Sequence, residues 1–120
     1  MATKGPLDGI KVLDLSWILS GPFATMTLSD LGATVVKVER PPYGDLGRTT
    51  RPIIDGESGY FFSVNRGKKS ISIDLKTTEG KQIFLDLVKE FDVIVENFTP
   101  GVMDKIGLSY QEISAVNEKI

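Results

Sequence analysis

The sequence predicts an α/β fold, a parallel sheet flanked by helices. Apolar runs of strand length, residues 10–15, 34–38, 69–75 and 92–96, recur along the chain. Segments with helix start and stop signals join the first pair and the last pair, giving two strand–helix–strand units. In the first run (IKVLDL) polar residues are scarce, as in a strand covered on both faces of a parallel sheet.

The first unit begins with that run. Ser20 or Gly21 is placed to cap a helix, and Pro22 suits its first position, where a missing amide hydrogen is harmless. Residues 23–31 carry Phe23, Ala24, Met26, Leu28 and Leu31 on nearly all sides, which predicts a buried helix closed by Gly32. Residues 34–38 (TVVKV) are mostly β-branched and return as the second strand. Right-handed crossovers of this kind set ligands beyond the carboxyl ends of their strands, so residues 16–21 and 39–42 should share one rim.

Residues 41–59 are rich in Pro, Gly and Asp and show no period, which predicts a long surface loop. Residues 60–65 (YFFSVN) fit a strand by composition or a helical turn by packing, with helix preferred. Residues 69–75 alternate, placing Ile71, Ile73 and Leu75 on one face of a third strand. Thr77 is a cap for a helix over 78–90, in which Phe84, Leu87, Val88 and Phe91 recur at helical spacing. Residues 92–96 are the fourth strand, and the turn at 97–101 joins the same rim if the strands are parallel. Two short helices, 102–106 and 109–116, flank Gly107. Residues 1–120 suffice for one domain burying roughly two thirds of its unfolded surface, with no second domain.

With 41% hydrophobic and 25% charged residues the composition is that of a globular protein. No apolar run approaches the roughly 20 residues of a membrane span, and residues 1–9 lack a secretory apolar core. The chain has no cysteine, which is compatible with a cytoplasmic location. Without His or Cys there is no Ser-His-Asp triad, no thiol nucleophile and no ordinary zinc site, so no metal is expected. No G-x-x-x-x-G-K-[ST] loop is present, and the first strand–helix turn offers only Gly21 where a dinucleotide fingerprint needs three glycines. Glu39 stands where a ribose-binding acid would sit, and Arg40 beside it could hold a phosphate; the plainer reading is a charge pair at a strand end.

The net charge of −2 conceals an asymmetry. Residues 37–76 hold eight basic and five acidic side chains, whereas residues 77–120 hold four and eight. The middle third is therefore the place for an anionic ligand, against chance clustering on a solvated surface. Nucleic acid is disfavoured, because no basic stripe is interleaved with aromatics.

These segments carry a resemblance. PLDGIKVLDLSWILSGPFATMTLSDLGATVVKVERP, GDLGR, NRGKKSISIDLKTTEG and VIVENFTPGVMDKIGLSY resemble, in order and spacing over residues 6–117, the N-terminal part of the family III CoA-transferases, which include formyl-CoA:oxalate and carnitine CoA-transferases. The resemblance implies an incomplete Rossmann-like domain that binds coenzyme A, in an enzyme moving CoA between carboxylic acids. Its nucleotide-contact position falls on Arg40, further CoA contacts on Ile73, Lys76, Asn97, Phe98, Val102 and Lys105, and the thioester end on Ile18, Leu19 and Ser20. Arg40, Lys76 and Lys105 would supply charge for phosphates, and Phe98 an apolar platform. Plainer rivals are core positions for Ile18, Leu19, Ile73 and Val102, solvated lysines for Lys76 and Lys105, a turn residue for Asn97 and a plug for Phe98.

The resemblance also implies that CoA or acyl-CoA is a substrate with a carboxylic acid acceptor, that no prosthetic group is needed, and that the whole subunit forms an interlocked homodimer. The family's nucleophile is an aspartate beyond the NFTPG turn, which passes through an aspartyl-CoA thioester. No aspartate of this chain takes that place; Asp14 and Asp74 are expected to be structural. Leu19 stands where the formyl-CoA:oxalate enzymes carry glutamine, so those substrates are not implied. The chain is accordingly expected to be an N-terminal fragment, prone to associate through exposed strand edges. The alternatives are a stand-alone CoA or NAD(P) binding module without catalysis, or a decayed remnant that binds neither.

Overall fold

The computed structural model describes residues 4–120. In chain order its elements are β1 (Lys11–Asp14), α1 (Ser20–Asp30), β2 (Thr34–Glu39), a 3-10 turn (Leu46–Thr49), β3 (Ile53–Ile54), β4 (Glu57–Ser58), α2 (Gly59–Ser63), β5 (Lys69–Ser72), α3 (Thr78–Val88), β6 (Val93–Val95), α4 (Val102–Lys105) and α5 (Tyr110–Val116). The main sheet runs β5-β2-β1-β6 and is wholly parallel. Its register pairs Val12 with Val35 and with Val93, so the two most apolar runs lie at the centre.

Successive residues of β1 face opposite sides, as the two-residue strand period requires. Leu13 joins Val38, Phe84, Val88, Leu108 and Ile113 in the larger core under α3 and α5. Val12 joins Ala33 and Val35 on the other side, with Leu7 and Leu28 against them. This double burial explains why the run had so few polar residues. The Thr77 side chain caps α3 by accepting from the Gly80 amide, and α5 opens with a capping box between Ser109 and Glu112. Asn117 donates to the carbonyls of Val88 and Phe91, tying the end of α5 to the end of α3.

Two expectations need correction. The first helix starts at Ser20 after Leu19, with no side-chain cap, and it is not buried all round. Gly21, Pro22, Thr25 and Met26 face inward, while Phe23 is 55% exposed and Leu31 41% exposed. The helix covers one side of a narrow sheet, so only one stripe finds a partner. Residues 41–59 are likewise ordered rather than a plain loop. A 3-10 turn and the antiparallel β3–β4 ribbon are anchored by the buried polar residues Asp45 and Ser58. Asp45 caps the Gly47 amide, and Ser58 donates to the Thr50 carbonyl and accepts from the Phe61 amide. Polar side chains, not apolar periodicity, organise this segment.

Candidate functional site

The carboxyl ends of the strands open into one cavity of about 670 Å³. Leu15, Val38 and Ile73 form its apolar floor and are at the same time members of the core. Trp17 and Ile18 wall it on one side, residues 39–43 on another, and Lys76, Asn97, Phe98 and Val102 close the circuit. The two segments predicted to share a rim do so. Ile18, Arg40, Ile73, Lys76, Asn97, Phe98 and Val102 thus come together, as predicted. Leu19, Ser20 and Lys105 fall outside the lining. Leu19 is half exposed at the start of α1, Ser20 lies 3.4 Å from Asn97, and Lys105 ends α4 one turn beyond Val102.

The plainer readings divide in the same way. Ile73 is core as well as lining, at 6% exposure, whereas Ile18 and Leu19 are about half exposed and are not core. Asn97 is more than a turn residue: its side chain accepts from the Trp17 amide at 2.8 Å and donates to the Trp17 carbonyl at 3.0 Å. Trp17 itself went unpredicted, although a lone tryptophan in a strand-end turn was a signal. The Arg40 guanidinium lies 4.7 Å from the centre of its ring, and Phe98 meets the ring edge-on at 5.5 Å. A ring face against a cation and a ring edge against an aromatic are both attractive geometries. They hold Arg40 at the mouth of the cavity.

Gly21 has a packing role. A Cβ there would fall 2.1 Å from the Ser16 Cβ, so only glycine lets α1 leave β1 this closely. It is not the remnant of a phosphate loop.

Glu39 borders the cavity, but its carboxylate is taken up by protein partners. Its carboxylate accepts from the Asp45 amide, from Nε and Nη2 of Arg48 and from the Ser70 hydroxyl, and the residue is 5% exposed. The ribose-binding role considered from position alone is therefore closed to it. Beneath the rim, Lys37 and Lys68 meet Asp14 and Asp45, all with side chains at most 2% exposed. Much of the positive surplus of residues 37–76 is thus turned inward. Arg40 and Lys76 remain exposed at the cavity and form no ion pair among the described residues.

Burial alone would raise both Asp14 and Glu39. Lys37 and Lys68, with Ser16 and Thr25, hold Asp14 below the ordinary carboxylate range, and Arg48, the Asp45 amide and Ser70 bring Glu39 from 4.5 to about 2. A depressed carboxyl contributes stability above its unfolded value that is lost as pH falls toward its folded one. Stability should therefore decline from about pH 4.5 toward pH 2, and Glu39→Gln should flatten that decline in acid unfolding monitored by circular dichroism.

Residues 7–120 match the family described as CoA-transferase family III. The chain is 48% identical over 117 residues to an acetyl-CoA:oxalate CoA-transferase of Acetobacter aceti, covering 98% of this chain and 30% of that protein. It is 51% identical over 112 residues to a human succinyl-CoA:glutarate CoA-transferase, covering 92% of this chain and 26% of the relative. Among solved structures it is similar to a CAIB/BAIF family protein from Brucella suis, with TM-score 0.88, 47% identity, and coverage of 96% of this chain and 32% of the other. The chain thus spans less than a third of the length of the curated relatives it matches.

Proposed function

Since the chain belongs to CoA-transferase family III, we propose that its cavity receives coenzyme A, as the CoA-holding portion of an enzyme that moves CoA from an acyl-CoA to a carboxylic acid. The observation that carries this reading is the meeting on one cavity beyond the strand ends of seven positions that the resemblance named, with Arg40 and Lys76 as its exposed cations over an apolar floor. Arg40 receives phosphate as a planar fork, Lys76 as a point charge, and the floor of Leu15, Val38 and Ile73 takes the uncharged arm. A 670 Å³ opening lies within the ordinary range for small-molecule sites.

In this reading residues 1–120 bind and orient, and the aspartyl-CoA step belongs to an aspartate outside them. Asp14 and Asp45 are committed to lysines, and Asp74 accepts from the Lys76 amide. CoA is a substrate, no prosthetic group is required, and the whole enzyme works as a cytoplasmic homodimer. The relatives' names supply the first donors and acceptors to try: acetyl-CoA with oxalate, and succinyl-CoA with glutarate.

Trp17 is the chain's one tryptophan and lines the cavity, so its emission reports occupancy directly. Titration with CoA should change that emission saturably. Arg40→Ala, removing a charge-assisted contact worth about 1.5–3 kcal/mol, should weaken binding roughly ten- to a hundredfold. NAD should have little effect, because the acid that would read its ribose is occupied by Arg48, and NADP should have little effect because the first turn, with Gly21 alone, lacks the glycines that admit a dinucleotide pyrophosphate. An NADP response stronger than that to CoA would overturn the proposal. CoA binding without transfer of labelled CoA to any acid would favour a binding module.

A further inference from the structure

The backbone of the first strand–helix turn is held by side chains from four separate parts of the chain. The Ser16 amide donates to Asp14 Oδ1 at 2.9 Å, and the Ser16 carbonyl accepts from Lys37 Nζ at 2.7 Å. Asn97 takes both polar groups of Trp17. The Ile18 amide donates to Asp45 Oδ1 at 3.0 Å, and the same oxygen accepts from the Gly47 amide at 2.8 Å. Lys37 Nζ lies 2.8 Å from Asp45 Oδ2, an ionic contact, and that oxygen has no other partner among the described residues. At the centre of this grip Ile18 has φ +68°. A β-branched residue in the left-handed region is a conformational outlier, stable only where the surroundings over-determine it.

We propose that Asp45 and Lys37 are positioning residues: as a buried ionic clamp they hold the Trp17–Ile18 turn in its left-handed form, and so set the wall of the cavity. Neither residue lines the cavity itself. Their side chains are 1% and 2% exposed, and a well-packed apolar pair could fill such space without loss of stability. What an apolar pair could not do is accept from the Ile18 amide and donate to the Ser16 carbonyl at once. With the clamp released, Ile18 relaxes toward negative φ, the chain direction between Trp17 and Leu19 changes, and Trp17 leaves Arg40 without its platform. The inference deepens the coenzyme A reading of the cavity and rests on it for its ligand.

The test uses two readouts on the whole protein. Without ligand, hydrogen exchange at the Ile18 amide should be slow in the wild type and accelerated at least tenfold in Asp45→Ala. With CoA, measured well below each variant's melting temperature, Asp45→Ala should weaken binding at least tenfold. Asp45→Asn keeps an acceptor for the Ile18 amide but loses the charge that faces Lys37, and should recover only part of both losses. A variant that melts lower yet binds CoA like the wild type would show a merely structural role and overturn the proposal. Fast exchange at Ile18 in the wild type would overturn it too, whether or not Asp45→Ala folds. A wild type that does not bind CoA sinks the reading of the cavity, and the exchange data then decide the clamp by themselves.

Discussion

Lys37→Met should destabilise the protein by about 3–5 kcal/mol, a large part of the 5–15 kcal/mol that holds a typical domain together. Methionine fills nearly the same length without the charge. Lys37 Nζ sits 2.8 Å from Asp45 and 3.8 Å from Asp14, and neither carboxylate reaches water. Its removal leaves Lys68 alone to compensate two buried anions. Denaturant unfolding should show a lower midpoint, and adding Asp45→Asn should restore part of the loss by deleting one of the stranded charges. A loss below about 1 kcal/mol would mean that water enters the cluster and that its charges are not truly buried.

Phe84→Ala should cost about 3–5 kcal/mol as well, by a different route. Phe84 is 0% exposed and belongs to the core that joins β1, β2, α3 and α5 through Leu13, Val38, Val88 and Ile113. A cavity there borders elements on both sides of the layer, none of which can collapse inward without leaving its own partners. Phe62→Ala is the control: at 56% exposure the same truncation should stay within about 0.5 kcal/mol. Thermal melts of the two variants separate burial from aromatic content.

The elements that the sequence disclosed are those in which one physical signal dominates. Residues 69–75 alternated, residues 78–90 repeated at helical spacing behind a Thr77 cap, and the structure holds a strand and a helix at both places. The adjacency of the first two strands was legible as a strand–helix–strand unit, but the order of the sheet was not: β5 and β6, the ends of the second such unit, lie at opposite edges, beside β2 and β1. The first helix was misjudged because an all-round apolar helix and a half-exposed one share the same pattern. The number of partners decides between them, and that is not a local property. Residues 41–59 were misjudged because the order there comes from single polar contacts, Ile18 to Asp45, Asp45 to Glu39 and Ser58 to Thr50, which leave no periodic trace in the sequence. In the cavity, the rim segments came from strand ends and the individual positions from the family resemblance; Trp17 was passed over within its rim segment, and the clamp was invisible. Their meaning lies in side chains that meet only after folding.

Trp17 and Asn97 meet across eighty positions of sequence. A chain leaving the ribosome must therefore be synthesised past Asn97, and β6 must dock beside β1, before that wall exists. Until then the first turn is a loose end of a two-strand unit, free to adopt ordinary backbone angles. Completion of the cavity wall is thus a late event in the life of the nascent protein, brought about by a residue made long after the turn it completes.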